Sequence, residues 1–277
     1  NQVEDIFNRL GGILDFKVDY KVPAKKIFNY RNKMEFTFSP HRWVLETEPE
    51  DVEKNFALGL HMTGRYDKIL DIENCHIQPS IGNKILKVAR EVCKSNLDLK
   101  PYDPKTHIGF LRYLMIRFGV NTNQIMVNIV TSYNDLNKLS PLIDMLLKEI
   151  PEITSMVNNV NTRKSDVSFG EYETLVFGKP YIEEKIGDLT FEISANSFFQ
   201  TNTYQGQKLY QEVEKAANLT GDEVIFDLYC GTGTIGLYLA KKAKEVYGFE
   251  VIRSSLEDAE KNAEKNNIAV IIAGAGG

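Results

Sequence analysis

The chain has 277 residues, 43% hydrophobic and 26% charged, a balance that suits an ordinary soluble globular protein of about two domains. Its net charge of −5 supplies no global attraction toward nucleic acid, so such a partner must meet a local basic patch. No apolar run is long enough to span a bilayer, no secretory signal opens the chain, and three cysteines without a C-x-x-C pair fit a reducing cytoplasm and exclude a closed metal site.

The first residues already have helical spacing, with Val3, Ile6, Phe7 and Leu10 on one stripe and no initiator methionine before them. A basic run follows: Lys21, Lys25, Lys26, Arg31 and Lys33 alternate with Tyr20, Phe28 and Tyr30. Such a mixture can track phosphates and stack bases, although a solvated face is the plainer reading. KMEFTF (33–38) sets Met34, Phe36 and Phe38 on one face and predicts a half-buried strand. FALGLH (56–61) and KILDIE (68–73) predict two more, turning at Thr63–Gly64. The apolar period then lengthens to Ile81, Ile85, Val88 and Val92, a helix ending near Leu97, beside which Cys93 reads as a buried small hydrophobe.

LRYLMIRFG (111–119) and QIMVNIVTS (124–132) predict a β-hairpin. Ser140-Pro141 predicts a helix through Ile150, with Ser140 as cap and Pro141 in the first turn. KPYIEEKIG and LTFEIS flank Gly187-Asp188 as a second hairpin, on which Glu183 and Glu184 face opposite ways and form no carboxylate dyad. SFFQTNT then leads into an amphipathic helix through Leu219, and Phe198 and Phe199 read as core. The four histidines, His41, His61, His76 and His107, lack zinc-helix spacing.

DLYCGTGTIG (227–236) follows an apolar strand, opens a helix, and leads to a second strand that ends at Glu250. This order predicts the start of a doubly wound nucleotide-binding domain. Its glycines, Gly231, Gly233 and Gly236, let backbone approach a ligand, and Glu250 can accept hydrogen bonds from ribose hydroxyls. The same glycines satisfy a dinucleotide pattern. Asp227 weighs against it, because a carboxylate before the turn repels a pyrophosphate and suits the ammonium and sulfonium of S-adenosylmethionine. By position alone Tyr229 reads as a buried strand residue and Gln200 as a loop or cap residue. The fold class expected is α/β: a mixed, largely antiparallel α+β domain over residues 1–185, then the start of a Rossmann-like methyltransferase domain over 186–277. Only two parallel strands and the beginning of a third are visible, so the chain reads as part of a longer protein, and nothing is based on the Ala/Gly-rich end.

With SFFQTNT ahead of DLYCGTGTIG, the chain resembles the RNA uracil-5-methyltransferases, which act on transfer or ribosomal RNA. NYRNKMEF (29–36), ALGLHMTGRYDKILDIENCHIQ (57–78) and LRYLMIRFG agree in order and spacing, so the resemblance runs from about residue 27 to 268. It implies that Gln200, Tyr229, Thr234 and Glu250 contact S-adenosylmethionine, beside Asp227, Gly231 and Gly233. It implies RNA contact by Arg31 and Lys33. It further implies that a cysteine thiolate adds to carbon 6 of the uracil and that a carboxylate later removes the carbon-5 proton. Both groups lie beyond the glycine motif in the family, so no catalytic residue is assigned to this chain, and Cys230 is no substitute. Cys75, in NCHIQP, matches the last ligand of the family's four-cysteine [4Fe–4S] cluster, a free thiol here and a cluster ligand only in the full-length protein. A cytoplasmic location without an obligate protein partner is expected. The alternatives are a methyltransferase for another RNA base or for protein, a non-catalytic RNA-binding relative, and, more distantly, a dehydrogenase.

Overall fold

The structure is a computed structural model and describes residues 2–164 and 167–274. Helix α1 (Gln2–Arg9) buries none of its residues, and Phe7 stacks on Phe16 with ring centroids 4.1 Å apart. Strands β1 (Lys33–Ser39), β2 (Arg42–Trp43), β3 (Ala57–Met62) and β4 (Arg65–Asp71) precede helix α2 (Ser80–Ser95). Strands β5 (Leu111–Gly119) and β6 (Gln124–Thr131) form the expected antiparallel hairpin, followed by helix α3 (Leu136–Glu149), β7 (Ser155–Val160) and β8 (Tyr172–Gly178). These strands make one eight-stranded sheet in the order β2-β4-β3-β1-β5-β6-β7-β8, parallel only at β2/β4 and β6/β7. The alternation read in β1 puts Met34, Phe36 and Phe38 into a core shared with Ile85, Leu86 and Cys93 of α2 and Leu139, Leu142 and Leu146 of α3.

Two expectations need correction in this sheet. Helix α3 starts well before Ser140: the Asp135 carboxylate caps it, accepting from the Lys138 N–H at 3.0 Å. Pro141 therefore lies inside the helix, where it cannot donate to the carbonyl of Asn137; the Ser140 hydroxyl donates to that oxygen at 2.8 Å instead. Strands β2, β7 and β8 add to the strands expected. β7 is buried on both faces, and its asparagines break the apolar pattern. They are tolerated because they are bonded: Asn158 Nδ2 donates to the carbonyl of Ile129 at 2.8 Å, and Asn159 Nδ2 to Asn128 Oδ1 at 3.1 Å.

Strands β9 (Tyr181–Ile186) and β10 (Leu189–Ser194) pair as the second predicted hairpin. Helix α4 (Thr203–Ala217), capped by Asn202, leads to β11 (Val224–Leu228), α5 (Thr234–Ala240), β12 (Glu245–Glu250), α6 (Arg253–Lys265) and β13 (Ile271–Gly274). The last three strands form a parallel sheet in sequence order, the opening of the doubly wound domain. A second core joins Ile182, Phe191 and Ile193 of the hairpin to Tyr210, Leu237 and Ala263, and to Met126 and Val157 on the large sheet. Across the other face of the parallel sheet Val224, Phe226 and Leu228 stay exposed, with Phe226 stacked on Tyr247 and Phe249. Among the described residues no helix is long and apolar enough to cross a membrane.

Candidate cofactor site

The chain leaves β11 in a backbone that most side chains avoid. Tyr229, Gly231 and Gly233 have φ of 64°, 56° and 79°, so every second residue is left-handed. Glycine accepts this at two positions without penalty, whereas at Tyr229 it costs about 1–3 kcal/mol. Tyr229 is 84% exposed, not the buried strand residue that its position suggests, because β11 ends at Leu228 and the turn rotates the ring outward.

The glycines divide by what surrounds them. A methyl on Gly233 would meet Ala259 Cβ and Leu237 Cδ1 at 3.3 Å, and one on Gly236 would meet Asp227 Oδ2 at 3.0 Å. These two let α5 pack against α6 and β11. Gly248, which sequence reasoning passes over, lets β12 approach Cys230 Sγ in the same way. Around Gly231 nothing lies within 4 Å, so only this glycine opens the loop to a ligand.

Glu250 is 8% exposed and closes the loop from the next strand. Its Oε2 accepts from the Gly231 N–H at 3.1 Å, and Oε1 accepts from the N–H groups of Val251 and Ile252 at 2.7 and 2.9 Å. A carboxylate thus holds the Gly231 N–H, and as an acid at the end of the second strand it stands where a cofactor ribose is bound in doubly wound folds. Asp227 turns instead toward α5, where Oδ2 accepts from the Gly236 N–H at 2.9 Å. Burial raises its carboxyl above the ordinary range, and the Gly236 bond offsets this in part. Thr234 opens α5 and accepts from the Tyr210 hydroxyl at 3.0 Å, which ties α4 to the loop. Burial, then the nearby charges of Asp227 and Glu250, push the Cys230 thiol up to about 11, which fits an unreactive cysteine.

The expected cofactor residues do not all meet. Tyr229, Gly231, Gly233, Thr234, Asp227 and Glu250 gather at one loop. Gln200 lines a separate groove of about 550 Å³ with Tyr20, Val22, Gly206 and Leu209. Phe198 links the two places, since its carbonyl accepts from the Thr232 hydroxyl at 3.5 Å. Phe199 is core as expected, but Phe198 is 68% exposed. Consecutive residues held in an extended segment face opposite ways, so only one of the pair can be buried.

Arg31 is half-buried and donates from Nε to the carbonyl of Lys33 at 2.9 Å. Lys33 is less open than its place in the basic run implies: its ammonium pairs with Glu35 at 2.7 Å. Burial, then Arg117, lower its pKa. Of the other cations, Lys26 lies over the Tyr204 ring and donates to its hydroxyl at 3.0 Å. Cys75 is a buried free thiol, its N–H bonded to Asn83. Among the described residues no group of three or more His, Cys, Asp or Glu side chains is placed to hold a metal ion. Four thiolates for an iron–sulfur cluster therefore do not come from these residues.

Sequence reasoning misses Asn32 and Arg117, and it sees Glu184 only as half of a rejected carboxylate pair. Glu184 is fully buried and accepts from the N–H groups of Val120, Asn121 and Lys185 and from the Thr203 hydroxyl, at 2.7–2.9 Å. Arg117 is 4% exposed within a wholly buried strand, and burial pulls its guanidinium down to about 10. A signal exists, because arginine and glutamate are almost never fully buried without partners.

The family model for tRNA (uracil-5-)-methyltransferases matches residues 149–273. An uncharacterized RNA methyltransferase of Chlorobaculum tepidum is 41% identical over 97% of the chain, and one of Porphyromonas gingivalis 37% identical over 96%. The chain spans 56% and 59% of the length of these two relatives. The crystal structure of a Pyrococcus abyssi tRNA (uracil-54, C5)-methyltransferase in complex with S-adenosyl-L-homocysteine is 32% identical and superposes with a TM-score of 0.77. That match covers 99% of this chain and 62% of the other. With the motifs, the Rossmann-like sheet and these matches in agreement, the chain is similar over nearly its whole length to RNA uracil-5-methyltransferases.

Proposed function

We propose that the whole protein transfers a methyl group from S-adenosylmethionine to carbon 5 of a uridine in transfer or ribosomal RNA. The observation that carries this reading is the glycine loop, open only at Gly231 and closed by the Glu250 carboxylate. The acid at the end of the second strand suits an adenosine ribose, and the S-adenosyl-L-homocysteine complex of the Pyrococcus abyssi relative supports S-adenosylmethionine as the cofactor. When bound, S-adenosylmethionine supplies an electrophilic methyl group. In this reading Glu250 accepts from the ribose hydroxyls, and the loop of Gly231, Gly233 and Thr234 excludes water from the sulfur side. Exposed Tyr229 offers an aromatic face, and Gln200 contributes a polar side chain. Asp227 fixes the start of α5 and contributes negative charge behind the loop.

Residues 1–185 would carry the RNA, with Arg31 and Lys33 at phosphates, and 186–277 the cofactor. The nucleophilic thiolate and the carboxylate base belong to the remainder of the protein; the thiolate adds to carbon 6, and it leaves after the carbon-5 proton is removed. A target base must leave its stack, at a cost of a few kcal/mol that is smallest in an unpaired loop. Ligation of a cluster by Cys75 would need three thiolates from outside the described residues, and no step depends on it. The test is incubation of the whole protein with 5-fluorouridine-substituted RNA and labelled cofactor. A stable covalent complex is expected, since fluorine cannot leave as the proton does. Intact binding of both ligands without a complex would overturn the adduct mechanism.

A further inference from the structure

The segment from Ala195 to Thr203 bears both Phe198 and Gln200, yet much of its shape is imposed by the large sheet. Before Phe198, Arg117 Nη2 on β5 donates to the carbonyls of Ser197 at 2.6 Å and Ala195 at 3.4 Å. After it, Asn32 takes over. Its backbone N–H donates to the carbonyl of Thr201 at 2.7 Å, and its Nδ2 donates to the carbonyl of Gln200 and to Thr203 Oγ1, both at 2.8 Å. Asn32 is itself fixed to β5, because its carbonyl accepts from the Phe118 N–H at 2.8 Å. Asn32 is 2% exposed, so these bonds are shielded from water. With both ends of the segment pinned and Phe199 locked in the core, Phe198 has no direction left but outward.

We propose that Asn32 and Arg117 are positioning residues for cofactor binding, acting through the backbone of Ser197–Thr201 to aim Phe198 and Gln200. This rests on the reading that Gln200 contacts S-adenosylmethionine. Arg117 Nη2 makes its bonds to the carbonyls of Ala195 and Ser197, immediately before the exposed aromatic, so the bonds that satisfy the buried guanidinium also fix the backbone there. Asn32 also lies between Arg31 and Lys33, so three consecutive residues meet the RNA candidate surface on one side and the cofactor segment on the other.

The test uses the whole protein with Asn32→Ala, Arg117→Met and Arg117→Lys, and varies cofactor and RNA separately. Asn32→Ala and Arg117→Met should each raise the KM and Kd for cofactor by about tenfold, the effect of one or two buried hydrogen bonds removed. RNA affinity should stay within about twofold, and Arg117→Lys should recover part of the loss. A purely structural role predicts the opposite split: a smaller active fraction and lower apparent kcat with cofactor KM unchanged. That result overturns the proposal, as does failure of Asn32→Ala to fold. If the wild-type protein binds no S-adenosylmethionine, the functional reading itself fails, which the wild-type titration detects independently.

Discussion

Replacing Gly231 by alanine separates ligand binding from folding, because the added methyl meets no protein atom within 4 Å. Its cost to the free protein is then confined to backbone strain at φ 56°. An L-residue in that conformation costs about 1–2 kcal/mol, which lowers Tm by roughly 2–8 °C in a chain of this size. The bond from the Gly231 N–H to Glu250 survives, since only Cα changes. If the cofactor lies over this loop, the methyl overpacks it at about 1–3 kcal/mol, a roughly 5- to 150-fold drop in affinity. Isothermal titration of the whole protein with S-adenosylmethionine, alongside a thermal melt, reads both numbers. A variant that shows the modest fall in Tm but binds cofactor like the wild type would refute the placement of the ligand at Gly231.

Charge reversal at Arg31 and Lys33 should weaken RNA binding and flatten its salt dependence, by about 0.7 log units for each single-strand phosphate that is no longer neutralised. Arg31→Glu should do more than Lys33→Glu, because Lys33 already pairs with Glu35; an unchanged slope in filter-binding titrations excludes both. Asp227 keeps its proton to higher pH in the fold than in the unfolded chain, so it makes stability fall as pH rises through and above the ordinary carboxylate range. Asp227→Asn keeps an acceptor for the Gly236 N–H and should remove that part of the slope in melts between about pH 4 and 7; an identical slope in the variant argues against a raised carboxyl. Glu184→Ala strands three backbone N–H groups and the Thr203 hydroxyl, and should cost at least about 3 kcal/mol in urea unfolding, with less than about 1 kcal/mol contradicting its role as a hub.

Elements written in a single period are legible from sequence. β1 shows strict alternation and α2 a clean apolar stripe, and both form where expected. β7 is illegible because buried asparagines bonded across strands look polar in one dimension. The start of α3 misleads because Ser-Pro is a strong local opening signal, and the capping bond of Asp135 and the Ser140–Asn137 bond overrule it. In the site, the glycine spacing and Glu250 are readable. The outward turn of Tyr229 is not, since it depends on a left-handed torsion that no neighbouring residue encodes. Asn32 and Arg117 escape because their partners are backbone carbonyls far along the chain.

That distance has a consequence for the order of folding. The bonds that shape Ser197–Thr203 join residues 80 to 171 positions apart, so local chemistry cannot form them early. Contacts of such long range wait until the intervening chain has condensed. The segment can therefore take its final shape only once the large sheet that carries Asn32 and Arg117 is in place. In the proposed reading, binding of the cofactor would then be a property of the assembled sheet and not of the glycine loop alone.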